Sequence, residues 1–296
     1  MSATPGGAPH GAGSRMPGRL YGVSPHANFS GAPISALNHA RLLGRHFDST
    51  CLVLPEEGGI QDRARAADIP VWLFPLERRG LRTGGWRFSS LRDLLAVVRS
   101  HGRFFLALAR EFRAHPGLVH VHSSVSIAPL ALLAARWRKM PAVLHLREAP
   151  RSRKDRGRVR LLGTLAGAVV CVSDGIRQGY GAWIRRHARV IYNYVEMPPA
   201  TVLRPHLPPR ILMAGRMSPA KGADLFLQMC ARLRARGVEF GGWLVGEWAR
   251  EADAEAARQF LQAHGLAERV AIRPVEPDMG AVYAETDVLV LPTRRD

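Results

Sequence analysis

The sequence predicts an α/β protein with two Rossmann-like doubly wound domains, the second of them incomplete. Three observations carry this expectation. Short β-branched runs alternate with helical patterns almost throughout, the signature of a parallel sheet covered by helices. A proline cluster (Pro198, Pro199, Pro205, Pro208, Pro209) interrupts the alternation, and a second βα series starts at Arg210. That series stops at Asp296, before the helices a doubly wound sheet normally needs to cover it.

Residues 1–18 are rich in Gly, Ala, Pro and Ser and lack an apolar run of signal-peptide type, so they are expected to form a disordered leader. The first domain is expected at 19–196. Its strands are expected at 19–23, 50–54, 71–74, 118–122, 142–146, 168–172 and 189–191, and its helices at 34–43, 91–113, 127–138 and 174–186. The long helix has a start signal: Ser90 with Asp93 three residues on resembles a capping box. Leu91, Leu94, Leu95 and Val98 then recur at helical spacing, and Gly102 predicts a kink or a break.

Residues 197–209 read as a stiff linker, because proline fixes φ and removes backbone donors. The second domain, 210–296, is expected to run strand 210–214, helix 223–236, strand 240–245, helix 251–264, strand 270–272, short helix 279–285 and strand 288–291. Gly265 stands where a helix C-terminal stop belongs.

Composition narrows the functional classes. Of 296 residues, 47% are hydrophobic, enough for about two domains with buried cores. Cys51, Cys171 and Cys230 are scattered in apolar stretches, which excludes a disulfide framework or a zinc-cysteine cluster and predicts buried free thiols. The longest near-apolar run, 161–172, is shorter than the roughly 20 residues of a membrane-spanning helix. The protein is therefore expected in the cytoplasm, or at the inner face of a membrane. The formal charge is +18, and only Lys139, Lys154 and Lys221 are lysines. A field of that sign favours anionic partners. No zinc finger or RNA-recognition signature accompanies it, so no specific nucleic-acid partner is expected.

The segment 214–224, AGRMSPAKGAD, carries the most chemistry. It follows a strand and precedes a helix, a junction that offers backbone N–H groups and a positive dipole end to an anion. Gly215 and Gly222 permit tight turns, Arg216 can fork onto phosphate oxygens, and Lys221 adds a compact charge. The order of a Walker A loop is absent. A diphosphate suits this segment; an ordinary loop with two solvated cations has the same pattern. His120 and His122 alternate on a strand and share a face, but no third ligand is nearby in sequence, so no metal site is expected. His122 falls at a strand's C-terminal end, where open α/β sheets bind ligands, and His145 holds a comparable place. Ser173 and Asp174 are explained by helix capping, and Asn193 by turn geometry.

The run ILMAGRMSPAKGADLFLQ resembles the start of the donor domain in retaining GT-B glycosyltransferases of family 4, also called group 1. The resemblance continues through GWLVGE and ERVAIRPVEPDMGAVYAETDVLVLPT, and in the N-terminal half through VHVHSS, AVLHLREAP, VVCVSDGIRQGY and VIYNYVE. It covers roughly 19–296. It implies a GT-B architecture, two domains facing a cleft, with the first on the acceptor side and the second binding a nucleotide-sugar donor.

By this resemblance Arg216 and Lys221 clasp the donor diphosphate and stabilise the leaving nucleoside diphosphate, with Gly215 and Gly222 beside them. His145, in VLHLRE, lies near the transferred sugar as a catalytic residue, and Glu148 and Arg147 follow it into the cleft. Val275 ends a segment, 273–275, that holds the base. Gly31 matches a cleft-facing glycine, with Ser30 in place of the family's second glycine. His122 is a further substrate-binding candidate. No cofactor or metal is implied; the nucleotide-sugar is the co-substrate. The family's glutamate pair, E-x7-E, would start just after VLVLPTRRD, so the chain reads as truncated before it.

Two arginine-rich stretches remain, 77–113 with Trp86, Phe88, Phe104 and Phe105 interleaved, and 147–160 with Lys154. They suit peripheral contact with an anionic membrane that presents a lipid-linked acceptor, or are solvated helix faces over a core. The function expected is transfer of a hexose-like sugar from a nucleotide-diphosphate donor to a glycan or lipid-linked acceptor with retention. The alternatives are a non-catalytic nucleotide-binding remnant and, third, a nucleotide-sugar epimerase.

Overall fold

A computed structural model describes residues 15–28, 31–77, 81–82, 85–86, 90–122, 127–150, 152–194, 205–276 and 278–294. Most of the expected leader, Ser30, Phe88 and most of the expected linker lie outside them. The chain divides into two compact units, Met1–Val195 and Glu196–Asp296.

The first unit runs β1 (Met16–Val23), α1 (Gly31–Gly44), β2 (Phe47–Leu54), α2 (Ile60–Ala66), β3 (Val71–Leu73), a small antiparallel pair β4 (Leu81–Arg82) and β5 (Gly85–Trp86), and α3 (Leu91–Ala114). It continues β6 (Gly117–Val121), α4 (Ala128–Trp137), β7 (Ala142–Leu146), α5 (Arg153–Leu165), β8 (Ala168–Cys171), α6 (Asp174–Gly179), α7 (Ala182–His187) and β9 (Ala188–Val190). Seven strands form a parallel sheet in the order β3-β2-β1-β6-β7-β8-β9. The order reverses between β1 and β6, which places the topological switch point there.

Strand alternation sorts side chains onto two faces. On β2, Cys51 and Val53 join the larger core with Tyr21, Phe104, Phe112, Val119, Val121 and Leu144. Leu52 and Leu54 join the opposite core with Ala36, Leu37, Ala40 and Ile60 from α1 and α2. The Tyr21 hydroxyl donates to the His115 carbonyl at 2.9 Å and to Glu111 Oε1 at 3.1 Å, tying β1 to the end of α3.

Several expectations are corrected. β1 begins at Met16, so 16–18 belong to the sheet rather than to a leader. Gly102 does not break α3: it sits on an exposed face with no atom within 4 Å of a Cβ built there, while Phe104 and Leu108 bury the opposite face and hold the helix. The Ser90 cap forms as expected, its Oγ accepting from the Asp93 N–H at 3.1 Å and donating to Asp93 Oδ2 at 2.8 Å. The expected helix 174–186 is two helices, parted at Tyr180, whose hydroxyl is drawn to the Glu148 carbonyl at 2.9 Å. Helices α2 and α5 were not expected.

The second unit runs β10 (Arg210–Ala214), α8 (Ala223–Ala235), β11 (Gly241–Val245), α9 (Glu251–Ala263), β12 (Val270–Arg273), α10 (Met279–Ala284) and β13 (Val288–Leu289). Its parallel sheet has the order β12-β11-β10-β13, with the switch point between β10 and β13. One face is well covered, by Phe226, Leu227, Cys230, Ala257 and Leu261 over Met213 and Leu244. The other carries Leu212, Val245 and Val282. Gly265 closes α9 with φ 59°, the left-handed conformation its place required. All three cysteines are free and buried.

Candidate functional site

The loop after β10 emerges at the second unit's switch point, where strand C-termini open a crevice in such sheets. Gly215 has φ 133°, and nothing lies within 4 Å of a Cβ built on it, so the backbone there borders open space. The loop is pinned to its neighbour after β11. The Met217 N–H donates to the Glu247 carbonyl at 2.8 Å, the Ala249 N–H donates to the Met217 carbonyl at 2.9 Å, and the Met217 side chain is fully buried. Gly246 makes this approach possible: a Cβ there would stand 1.8 Å from the Gly215 carbonyl oxygen.

The junction with α8 differs from the expected one. A 3₁₀ turn, Pro219–Lys221, is inserted before the helix, and Gly222 follows it at φ 76°, against the Pro292 carbonyl. The Lys221 N–H donates to the Ser218 carbonyl at 3.0 Å, and the Gly222 N–H to the Ser218 and Pro219 carbonyls. Asp224 already places a carboxylate in the first turn of α8. The helix end is therefore partly satisfied from within, and side-chain cations become the main attraction for an anion.

Those cations are Arg216 and Lys221. Both are exposed, and among the described residues neither side chain has a carboxylate or hydrogen-bond partner. Elsewhere in the unit Arg210, Arg250, Arg258, Arg269, Arg273 and Arg294 pair with carboxylates, while Arg232, Arg234 and Arg236, at the far end of α8, pair with none among the described residues. The Arg294–Asp224 pair was not anticipated. Arg294 also donates from Nη1 to the Pro219 carbonyl at 2.7 Å, strapping the segment after β13 over the 3₁₀ turn. Its hydrogen bonds hold the Asp224 carboxyl below its ordinary range. Val275 is partly exposed in the loop after β12, beside Arg273, which pairs with Glu276 at 2.9 Å and lies over the Trp243 ring.

The first unit gathers the other candidates at its own switch point. Val119 and Val121 of β6 face the larger core, so His120, and His122 just beyond, face α1. Leu144 and Leu146 of β7 do the same for His145. His39 comes from α1, and its ring centroid lies 5.2–5.3 Å from each of the other three. His120 Nε2 is 3.2 Å from His145 Nδ1. Sequence spacing offered no third partner for the His120–His122 pair; the fold supplies His145 from the adjacent strand and His39 from the covering helix.

His122 is fully buried and His145 2% exposed, so neither lines an open surface here. Burial depresses all four imidazoles, with neighbouring histidines and Arg147 adding to it; His145 is pushed down to about 3 by burial and then by Arg147. The rings are neutral at physiological pH. Both ring nitrogens of His122 and Nε2 of His145 have no hydrogen-bond partner. Each such buried orphan costs about 1–3 kcal/mol.

Arg147 Nη2 donates to Asn193 Oδ1 at 2.6 Å, so Asn193 anchors a cation beyond its turn role. Glu148 is exposed, and Gly31 opens α1 with nothing within 4 Å of a built Cβ. Gly31 opens the helix after β1 and Glu148 follows β7, the strand that carries His145; Gly215, Arg216, Lys221, Gly222 and Val275 belong to the other unit.

Comparison with known proteins bears on residues 208–296, which match the family model described as Glycosyl transferases group 1. No curated protein sequence matches the chain. Among solved structures, HepE of Anabaena in complex with UDP and glucose aligns at a TM-score of 0.70 with 16% identity, covering 93% of this chain and 74% of that one. The lipopolysaccharide outer core galactosyltransferase WaaB aligns at 0.60 with 15% identity, covering 94% and 74%. A glycosyltransferase from Rickettsia africae aligns at 0.62 with 14% identity, covering 95% and 73%. The chain thus has the α/β, doubly wound fold of GT-B glycosyltransferases, and its C-terminal segment carries the group 1 match.

Proposed function

We propose that the protein is a glycosyltransferase that moves a hexose from a nucleotide-diphosphate-sugar to a glycan or lipid-linked acceptor with retention of configuration. The observation that carries this reading is the unpaired, exposed couple Arg216 and Lys221 on the loop 214–222, within the segment that matches group 1 glycosyl transferases. Such cations, beside an uncrowded Gly215 backbone, stabilise charge as it builds on a departing diphosphate. The binding of UDP and glucose by HepE, a protein of like fold, supports a nucleotide-sugar as donor. Gly215 and Gly222 set the loop's shape, and Val275 borders the base. Gly31 and Glu148 belong to the sugar-facing side of the first unit, with His122 and His145 buried behind it.

The acceptor is proposed to be reached at the inner face of a membrane. Helix α3 exposes Leu91, Leu94, Leu95 and Val98, with Arg92, Arg99 and Arg103 exposed on the same helix. That combination suits an anionic lipid interface. Among the described residues no helix is long and apolar enough to cross a membrane.

The test is transfer itself. The chain is incubated with a panel of nucleotide-sugars and with glycan or lipid-diphosphate acceptors, and the product linkage is read by proton NMR. Transfer from one donor with the anomeric configuration kept supports the reading. An inverted linkage overturns retention, and failure of every donor to bind or react overturns the enzyme assignment.

A further inference from the structure

We infer that His120, His122 and His145 form a binding site for a divalent transition-metal ion. One ligand atom from each of the three lies within 4.8 Å of the others. A tetrahedral ion with bonds of about 2.0–2.1 Å sets its nitrogen ligands roughly 3.3–3.4 Å apart. The 3.2 Å between His120 Nε2 and His145 Nδ1, a hydrogen-bond distance between the two rings, also matches such an edge, and His122 offers its nitrogen within 4.8 Å of the other ligand atoms. Both ring nitrogens of His122 are buried without a partner, the independent sign that a partner belongs beside this ring; the orphan of His145 is Nε2, the nitrogen on the far side from the Nδ1 that faces His120.

His39 borders the three rings and makes the ordinary contact of a helix histidine to the carbonyl four residues back, as His101, His187 and His264 also do. Its Nδ1 donates to the Ser35 carbonyl at 2.7 Å, which fixes the tautomer and leaves Nε2 with a free lone pair. All donors are neutral imidazoles, without carboxylates or thiolates among them. That set selects zinc, cobalt, nickel or copper over magnesium or calcium. Arg147 opposes the ion electrostatically, since its charge acts on His39 and His145. The site is therefore tuned to bind more weakly than the same rings would without it, and to favour an anionic ligand in any open coordination position.

The test uses the whole chain, stripped with EDTA and titrated with Co²⁺. One equivalent per chain with the visible bands of a nitrogen-ligated, low-coordinate ion is expected. His145→Asn should weaken Co²⁺ by at least about 10–100-fold, Arg147→Gln should strengthen it, and the surface variant His264→Asn should leave it unchanged. X-ray absorption of the wild-type complex decides independently of whether the variants fold: at least three imidazoles in the first shell are expected. Absence of bands up to millimolar Co²⁺, bands unchanged in folded His145→Asn, or fewer than three imidazoles overturns the site.

Discussion

Arg294 grips Asp224 with both arms of its guanidinium, Nη1 to Oδ1 at 2.7 Å and Nη2 to Oδ2 at 2.5 Å. The pair joins the segment after β13 to the first turn of α8, on either side of the 3₁₀ turn that carries Lys221. Both partners are partly exposed, so the pair contributes little to global stability. Its consequence is local: it neutralises a carboxylate that would otherwise sit beside the proposed phosphate site. Arg294→Ala should leave the melting temperature nearly unchanged and weaken nucleoside-diphosphate binding by roughly tenfold, one charge-assisted contact's worth. Asp224→Asn in the same chain should restore most of it. Calorimetry on the three proteins checks this; no recovery in the double variant contradicts the electrostatic account.

Burial of the histidine cluster sets a pH dependence. Unfolded histidine titrates near 6.5, whereas folded His120 and His122 lie well below that and His145 near about 3. As pH falls below 6.5 the unfolded chain takes up protons that the folded chain refuses, so stability is lost progressively toward the folded values. Each such histidine contributes a slope of at most about 1.4 kcal/mol per pH unit. Urea unfolding of the EDTA-treated protein should show falling stability from pH 7 to pH 5, above the range where carboxylates titrate. His145→Phe should flatten that slope. Equal stability at both pH values contradicts the buried, neutral cluster.

The three cysteines are expected to be inert. Burial raises Cys51 and Cys171 to about 11 and Cys230 to about 12. At pH 8 the native protein should resist alkylation by iodoacetamide, and all three thiols should react in guanidinium. Rapid modification of the native chain would contradict their placement in the cores.

The exposed stripe of α3 predicts membrane association. The protein should bind phosphatidylglycerol-containing vesicles more tightly than neutral phosphatidylcholine vesicles, and salt should weaken the difference. Leu91→Glu with Leu95→Glu should reduce binding by at least about tenfold without unfolding the chain, because both side chains face solvent. Cosedimentation measures it, and equal binding by the variant excludes α3 as the contact.

Much of the fold was legible because local signals agreed with the global one. The strands at 142–146 and 210–214 match the sequence expectation to the residue: 210–214 is bounded by Pro209 and Gly215, and 142–146 starts after Pro141 and ends where the charged pair Arg147 and Glu148 begins. The Ser90 cap was legible from a three-residue spacing alone. The same spacing, Ser152 with Asp155, caps α5, in the stretch 147–160 whose charges suit a solvated helix face; Val159 and Leu162 are the apolar positions that turn its other face to the core. Gly102 misled because an exposed glycine weakens a helix without ending one that packing holds. At the candidate site, Arg216 and Lys221 could be chosen from residue type and spacing. The grip of Arg294 on Asp224 spans seventy positions, and the gathering of His39 and His145 around His120 and His122 depends on sheet order, so neither has a local signature.

The most direct measurement is calorimetric titration of the chain with a panel of nucleoside diphosphates, repeated on Arg216→Ala/Lys221→Ala. Stoichiometric binding of one nucleotide is predicted, weakened by at least about 100-fold in the folded double variant, since two charge-assisted contacts to the diphosphate are lost. Unchanged affinity in that variant would contradict the assignment of the 214–222 loop as the diphosphate clasp.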